Sequence, residues 1–139
     1  MRSATYDHFG KPTEVLSLGD RPIPEPKANE VRVKTILASI HNHDLLTIRG
    51  QYGFKPELPA IGGSEALGVI DAVGSEVKDL KVGQRVAAAS VQATWAEYFV
   101  AAADMVFPIP DSLEDEMAAQ LIAMPLSALM LLEFLEVES

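Results

Sequence analysis

The sequence predicts a mainly β domain with short helices, followed by two C-terminal helical segments. Three observations lead there. Nine glycines and nine prolines, all but Pro125 within residues 1–110, cut that stretch into short apolar segments, the punctuation of many brief strands. Within it, Val31, Val33 and Thr35 alternate with Arg32 and Lys34, the period of a half-buried strand. After Pro110 the pattern changes to that of helix.

Strands are expected at residues 3–6, 14–18, 31–39, 66–73, 84–89, 96–100 and 105–109. Pro22, Pro24 and Pro26 cannot donate backbone hydrogen bonds, so that segment is expected to run extended along an edge or the surface. One helical turn is expected within residues 43–48, with Asp44 as its cap. Asp111 and Ser112 are suitable N-caps, Asp115 stands three after Ser112, and Glu114 to Glu116 add negative charge at the positive end of a helix. Pro125 is expected to interrupt that helix. Residues 126–136 resume it with eight of eleven positions apolar, and a helix apolar on all sides expects partners on all sides. The chain stops three residues later, so the expectation is a domain missing downstream; the alternative is self-association through residues 126–135.

Composition narrows the function classes. The 139 residues are 48% hydrophobic, enough to bury one sizeable core. The net charge is −9 and the 11 basic residues are scattered, which leaves no electrostatic footprint for nucleic acid or an anionic membrane. With no cysteine, disulfides, thiolate zinc sites and cysteine nucleophiles are excluded. No apolar run reaches the roughly 18 residues of a membrane span, and the N-terminus lacks a signal-peptide core. A cytoplasmic protein is expected.

The most informative stretch is Gly63-Ser64-Glu65-Ala66-Leu67-Gly68-Val69-Ile70-Asp71-Ala72-Val73-Gly74, followed by Gly83-Gln84-Arg85-Val86. Read physically, its glycines give a tight entry, a close approach in mid-strand and an exit turn, while the aliphatics fill a core. At this spacing it resembles the medium-chain dehydrogenase/reductase pattern Gly-His-Glu-x-x-Gly-x-Val-x-x-Val-Gly and the later Gly-Asp-Arg-Val, with Ser64 in place of His and Gln84 in place of Asp. Ser39-Ile40-His41-Asn42-His43-Asp44, then Arg49-Gly50-Gln51-Tyr52, is similar to the family's active-site strand and turn. That place reads Cys-His-x-Asp in zinc alcohol dehydrogenases, and Asn-Pro-x-Asp with a following Gly-x-Tyr in quinone oxidoreductases and enoyl-thioester reductases. Thr94-Trp95-Ala96-Glu97-Tyr98-Phe99-Val100 resembles the family's Ala-Glu-Tyr strand. Met124-Pro125-Leu126-Ser127-Ala128 resembles the hinge helix whose Thr or Ser meets the nicotinamide.

The resemblance covers the whole chain but only the first part of a family member. It implies a GroES-like, partly open β-barrel over residues 1–124, with residues 125–139 beginning a linker helix into a missing Rossmann domain. The implied activity is that of a zinc-free quinone oxidoreductase, reducing quinones or activated enones by hydride transfer from NADPH or NADH. Reduction of 2-enoyl thioesters is the second enzymatic reading, and a stand-alone GroES-like binding or assembly module is a third, of another class. No Gly-x-Gly-x-x-Gly occurs in the 139 residues, so this chain alone is expected to bind no cofactor and to be inactive. Zinc is not expected: the family's Cys position holds His41, its His position Ser64, and an improvised set of His41, His43 and Glu65 would need a regular strand to point its side chains together.

Among the implied site residues, Tyr52 is the expected catalytic hydrogen-bond or proton donor, since a phenol keeps its proton at neutral pH. Its alternative is to pack beneath the cleft loop. His41 is the second catalytic candidate, bonding a substrate oxygen or the nicotinamide ribose, unless it is a buried histidine satisfied by backbone. Asn42 and Ser127 are the cofactor-binding candidates. His8 and Trp95 are read as structural. Glu65 needs a buried partner that the sequence does not reveal.

Overall fold

The computed structural model describes residues 1–137. Among these, eight strands carry the fold: β1 (Arg2–Tyr6), β2 (Ser17–Asp20), β3 (Glu30–Ala38), β4 (Ala60–Ile61), β5 (Glu65–Val73), β6 (Arg85–Ala89), β7 (Tyr98–Ala102) and β8 (Val106–Pro108). Four helices accompany them: α1 (Pro12–Val15), α2 (Asn42–Ile48), α3 (Asp115–Ala118) and α4 (Ala123–Val137). The strands form two antiparallel sheets, ordered β2-β1-β4 and β7-β3-β5-β6-β8. The Ala4 amide donates to the Trp95 carbonyl at 2.8 Å, and Ser3 bridges Ala96. These links stitch the small sheet to the large one, and the structure curls into the partly open, GroES-like barrel that the motifs imply.

β5 sits at the centre because it can be buried on both faces. Ala66 and Ile70 join Val31, Val33, Val86 and Phe99 in the main core, while Leu67 packs with Ala87, Ile109, Ala118 and Ala119 beneath α3. Gly68 lies where β3 crosses closest. A Cβ there would come within 2.3 Å of the Lys34 carbonyl oxygen, next to the register shift between Thr35 and Leu37. A third cluster of Tyr6, Val15, Ile48 and Ala60 fixes α1 and α2 against the small sheet.

Three local expectations are corrected, and one strand had no expectation. Residues 14–18 are not one strand: Pro12, pre-set for the first position of a helix, opens α1, and β2 starts only at Ser17. β4, two residues long, was not expected at all. The helix foreseen at Asp111 and Ser112 begins instead at Asp115, because a turn closes from the Leu113 amide to the Pro110 carbonyl and Arg85 holds the Asp115 carboxylate at 2.7 Å. Pro125 does not interrupt. It lies in the first turn of α4, where amides have no intrahelical acceptor and a missing N–H costs nothing.

Candidate functional site

A cavity of about 530 Å³ opens between α2, the loop leading into β5, residues 89–92 and the first turns of α4. Its wall includes Tyr6, His43, Tyr52, Ser64, Ser127 and Met130. The side chains are set by hydrogen bonds that begin at the start of α2. His41 is the N-cap, and its amide donates to Asp44 Oδ2 at 2.8 Å. Asp44, expected to be the cap itself, instead stands at the third helical position and reaches back to the His41 amide, one half of a capping box. Its other oxygen, Oδ1, accepts the Ser64 hydroxyl at 2.6 Å, so a buried carboxylate is satisfied on both sides.

Ser64 in turn lies 2.7 Å from His43 Nε2. Beside His43 stand the His41 ring, with centroids 5.0 Å apart, and the Tyr52 ring at 5.7 Å. The three rings grade from the interior to the cavity: His41 is 9% exposed and Tyr52 44%. Gly50, at φ +72°, turns the chain out of α2 and carries Tyr52 back over the cavity.

Glu65, fully buried, is the junction between barrel and helix. Its Oε2 pairs with His41 Nε2 at 2.5 Å, where Ser39 Oγ also approaches at 2.9 Å. Its Oε1 accepts the amides of Ile122 and Ala123 at 2.9 and 3.0 Å. Those amides belong to the N-terminal end of α4, whose unsatisfied N–H groups and dipole both favour a carboxylate. This is the partner that Glu65 required, supplied from 57 and 58 residues along the chain.

The four residues singled out from sequence are thus distributed unevenly. Tyr52 and Ser127 line the cavity, the latter with its hydroxyl donated to the Ala123 carbonyl at 2.7 Å. His41 lies behind the wall, engaged with Glu65 rather than facing the cavity. Asn42 is exposed at the start of α2 and is not among the lining residues. Two wall residues were missed. His43 was read only as the unassigned position of the motif and as one member of an improvised metal set. Tyr6 carried no signal, since β1 meets the cavity only through folding. Burial, and secondarily the Asp44 charge, push the Tyr6 phenol above its ordinary range, so it stays protonated. Among the described residues, no group of three or more His, Cys, Asp or Glu is placed to hold a metal ion, and no helix is long and apolar enough to cross a membrane.

Residues 27–111 match the alcohol dehydrogenase GroES-like domain, and the chain belongs to that family, within the medium-chain dehydrogenase/reductases. It is 36% identical over 136 residues to the human mitochondrial enoyl-[acyl-carrier-protein] reductase, covering 96% of this chain and 36% of that protein. To mouse quinone oxidoreductase it is 35% identical over 123 residues, covering 87% of this chain and 37% of the relative. The Escherichia coli quinone oxidoreductase complexed with NADPH superposes with a TM-score of 0.81 at 30% identity, over 86% of this chain and 36% of that one. The chain therefore spans little more than a third of the length of these relatives.

Proposed function

We propose that this chain is the catalytic portion, residues 1–124, and the start of the linker helix, residues 125–139, of an NADPH-dependent reductase acting on quinones or activated enones, 2-enoyl thioesters among them. The observation that carries this reading is Tyr52 on the wall of a cavity of about 530 Å³, closed on one side by α4. A nicotinamide, when bound, supplies hydride. Ser127, on the cavity wall, is the candidate to receive its carboxamide, since its hydroxyl hydrogen is donated to the Ala123 carbonyl and its oxygen can still accept. Asn42, exposed beside the cavity, is the candidate for its ribose or phosphates. The residues present fit the nicotinamide end only, because no glycine-rich phosphate cradle occurs in the 139 residues. We accordingly expect the isolated chain to be inactive.

The Tyr52 hydroxyl donates to the substrate oxygen, polarising the carbonyl as negative charge develops on it. Phe54, Pro56, Ile61 and Met124 contribute to the apolar part of the wall, and an apolar surround strengthens that hydrogen bond. His41 acts at one remove, holding Glu65 and through it the first turn of α4. The reading is zinc-free: His41 Nε2 and His43 Nε2 are already committed to Glu65 and Ser64. A cytoplasmic location is supported by the absence of cysteine, against which stand the relatives named as mitochondrial; cell fractionation separates the two. The apolar stretch at residues 126–135 serves as the seat of the nucleotide-binding domain, with self-association as its alternative, which light scattering reads directly.

The test is turnover. The complete protein, supplied with NADPH, should reduce a short 2-enoyl thioester, a quinone or both, followed as loss of NADPH absorbance. No turnover with either would favour a binding module and end the reductase reading.

A further inference from the structure

Resting on that reading and deepening it, we propose that His43 is a second catalytic residue of the cavity, the proton donor, and that Ser64 and Asp44 are the positioning residues that hold it. The argument starts from one hydrogen. Ser64 has a single hydroxyl proton and donates it to Asp44 Oδ1 at 2.6 Å, because a carboxylate can only accept. Toward His43 Nε2, 2.7 Å away, Ser64 must therefore accept. Nε2 carries a hydrogen in every state of the ring, and Nδ1 is the nitrogen that takes up and releases a proton.

The chain His43–Ser64–Asp44 ends on a buried carboxylate only 3.7 Å from His43 Nε2. That carboxylate, buried beside a partly exposed ring, fixes the Nε2 edge of His43 toward Ser64 and away from the cavity mouth. Asp44 cannot swing away, since its second oxygen holds the His41 amide at 2.8 Å. His43 lines the cavity beside Tyr52, while His41 does not. The two wall groups then divide the work: Tyr52 hydrogen-bonds the carbonyl oxygen, and His43 supplies the proton.

The step balances. The conjugated carbonyl substrate gains a hydride from the nicotinamide, which is oxidised, and one proton from His43. The Nδ1–H bond breaks, a new O–H or C–H bond forms on the substrate, and the ring returns to neutral. Water at the open mouth of the cavity restores its proton.

In the complete protein, His43→Phe keeps an aromatic ring beside Tyr52 but removes both nitrogens. It should lower kcat about 100-fold with KM changed less than about twofold, the size of a lost general acid. Ser64→Ala leaves the ring and loosens its tether. It should lower kcat about 10-fold at unchanged KM, and long-range ¹⁵N–¹H NMR should show His43 passing from a pure Nε2–H tautomer to a mixture. An Nδ1–H tautomer in the wild type would overturn the relay whether or not the variants fold. A kcat retained in His43→Phe, with the wild type active, would overturn His43 as donor and leave the reductase reading standing. A wild type without turnover would overturn both.

Discussion

Ile70 and Leu131 are both branched aliphatics on regular elements, yet Ile70 in β5 is 1% exposed and Leu131 in α4 is 58% exposed. The contrast holds for the two regions they represent. The barrel buries a continuous core, with exposed apolar residues such as Leu18 and Phe107 scattered over its strands. On α4, every large apolar residue from Leu126 to Leu135 exposes between 52 and 62% of its surface. The helix is tied to the barrel where Glu65 accepts the amides of Ile122 and Ala123. One body is therefore stabilised by burial, and the other is held at its end by a buried charge.

The strongest way to break this arrangement is to remove that charge. Glu65→Ala leaves His41 and two helix amides without their acceptor, and should cost about 3–5 kcal/mol in denaturant unfolding, the range for one lost partner of a buried pair. Next comes the same truncation made in each region. Ile70→Ala should cost about 2–4 kcal/mol, while Leu131→Ala should stay within about 0.5 kcal/mol, as at exposed positions. Equal losses would mean that α4 is covered by the chain itself. Gly68→Ala probes the close approach of β5 to β3 in mid-strand. With backbone oxygen 2.3 Å from the new methyl, it should cost about 1–3 kcal/mol, the usual penalty of overpacking.

The smallest effect is a pH dependence at the seam between the sheets. The Arg2 backbone amide first, and then its guanidinium, hold the Glu97 carboxyl below its ordinary range. A carboxyl depressed in the folded state stabilises fully above its unfolded value, and that contribution is lost as pH falls through the folded one. Glu97→Gln should therefore flatten the acid side of the stability curve and leave the neutral region nearly unchanged, as followed by thermal unfolding across pH.

The barrel was legible where residues carry their own instructions. Val31 to Thr35 alternate and became the inner part of β3, and the Gly63 to Gly74 spacing became the entry, crossing and exit of β5. Boundaries set by distant partners were not. Arg85 draws Asp115 away from the turn that Ser112 seemed to begin, and Pro125 looks like a break only when the start of α4 is unknown. The site divides in the same way. Tyr52, Ser127 and the capping role of Asp44 follow from local motif and spacing, whereas His43 gains meaning from Ser64, and Glu65 from Ile122 and Ala123. Those contacts span 21, 57 and 58 residues, and no local pattern encodes them.

The central claim is that the cavity beneath α4 is a reaction chamber in which Tyr52 activates a carbonyl. Tyr52→Phe in the complete protein tests it most directly, because the ring beside His43 is kept and only the hydroxyl is lost. Steady-state reduction of a 2-enoyl thioester by NADPH should then fall about 100-fold in kcat with little change in KM, the signature of a lost oxyanion donor. An unchanged kcat, from a wild type that does turn over, would contradict the account.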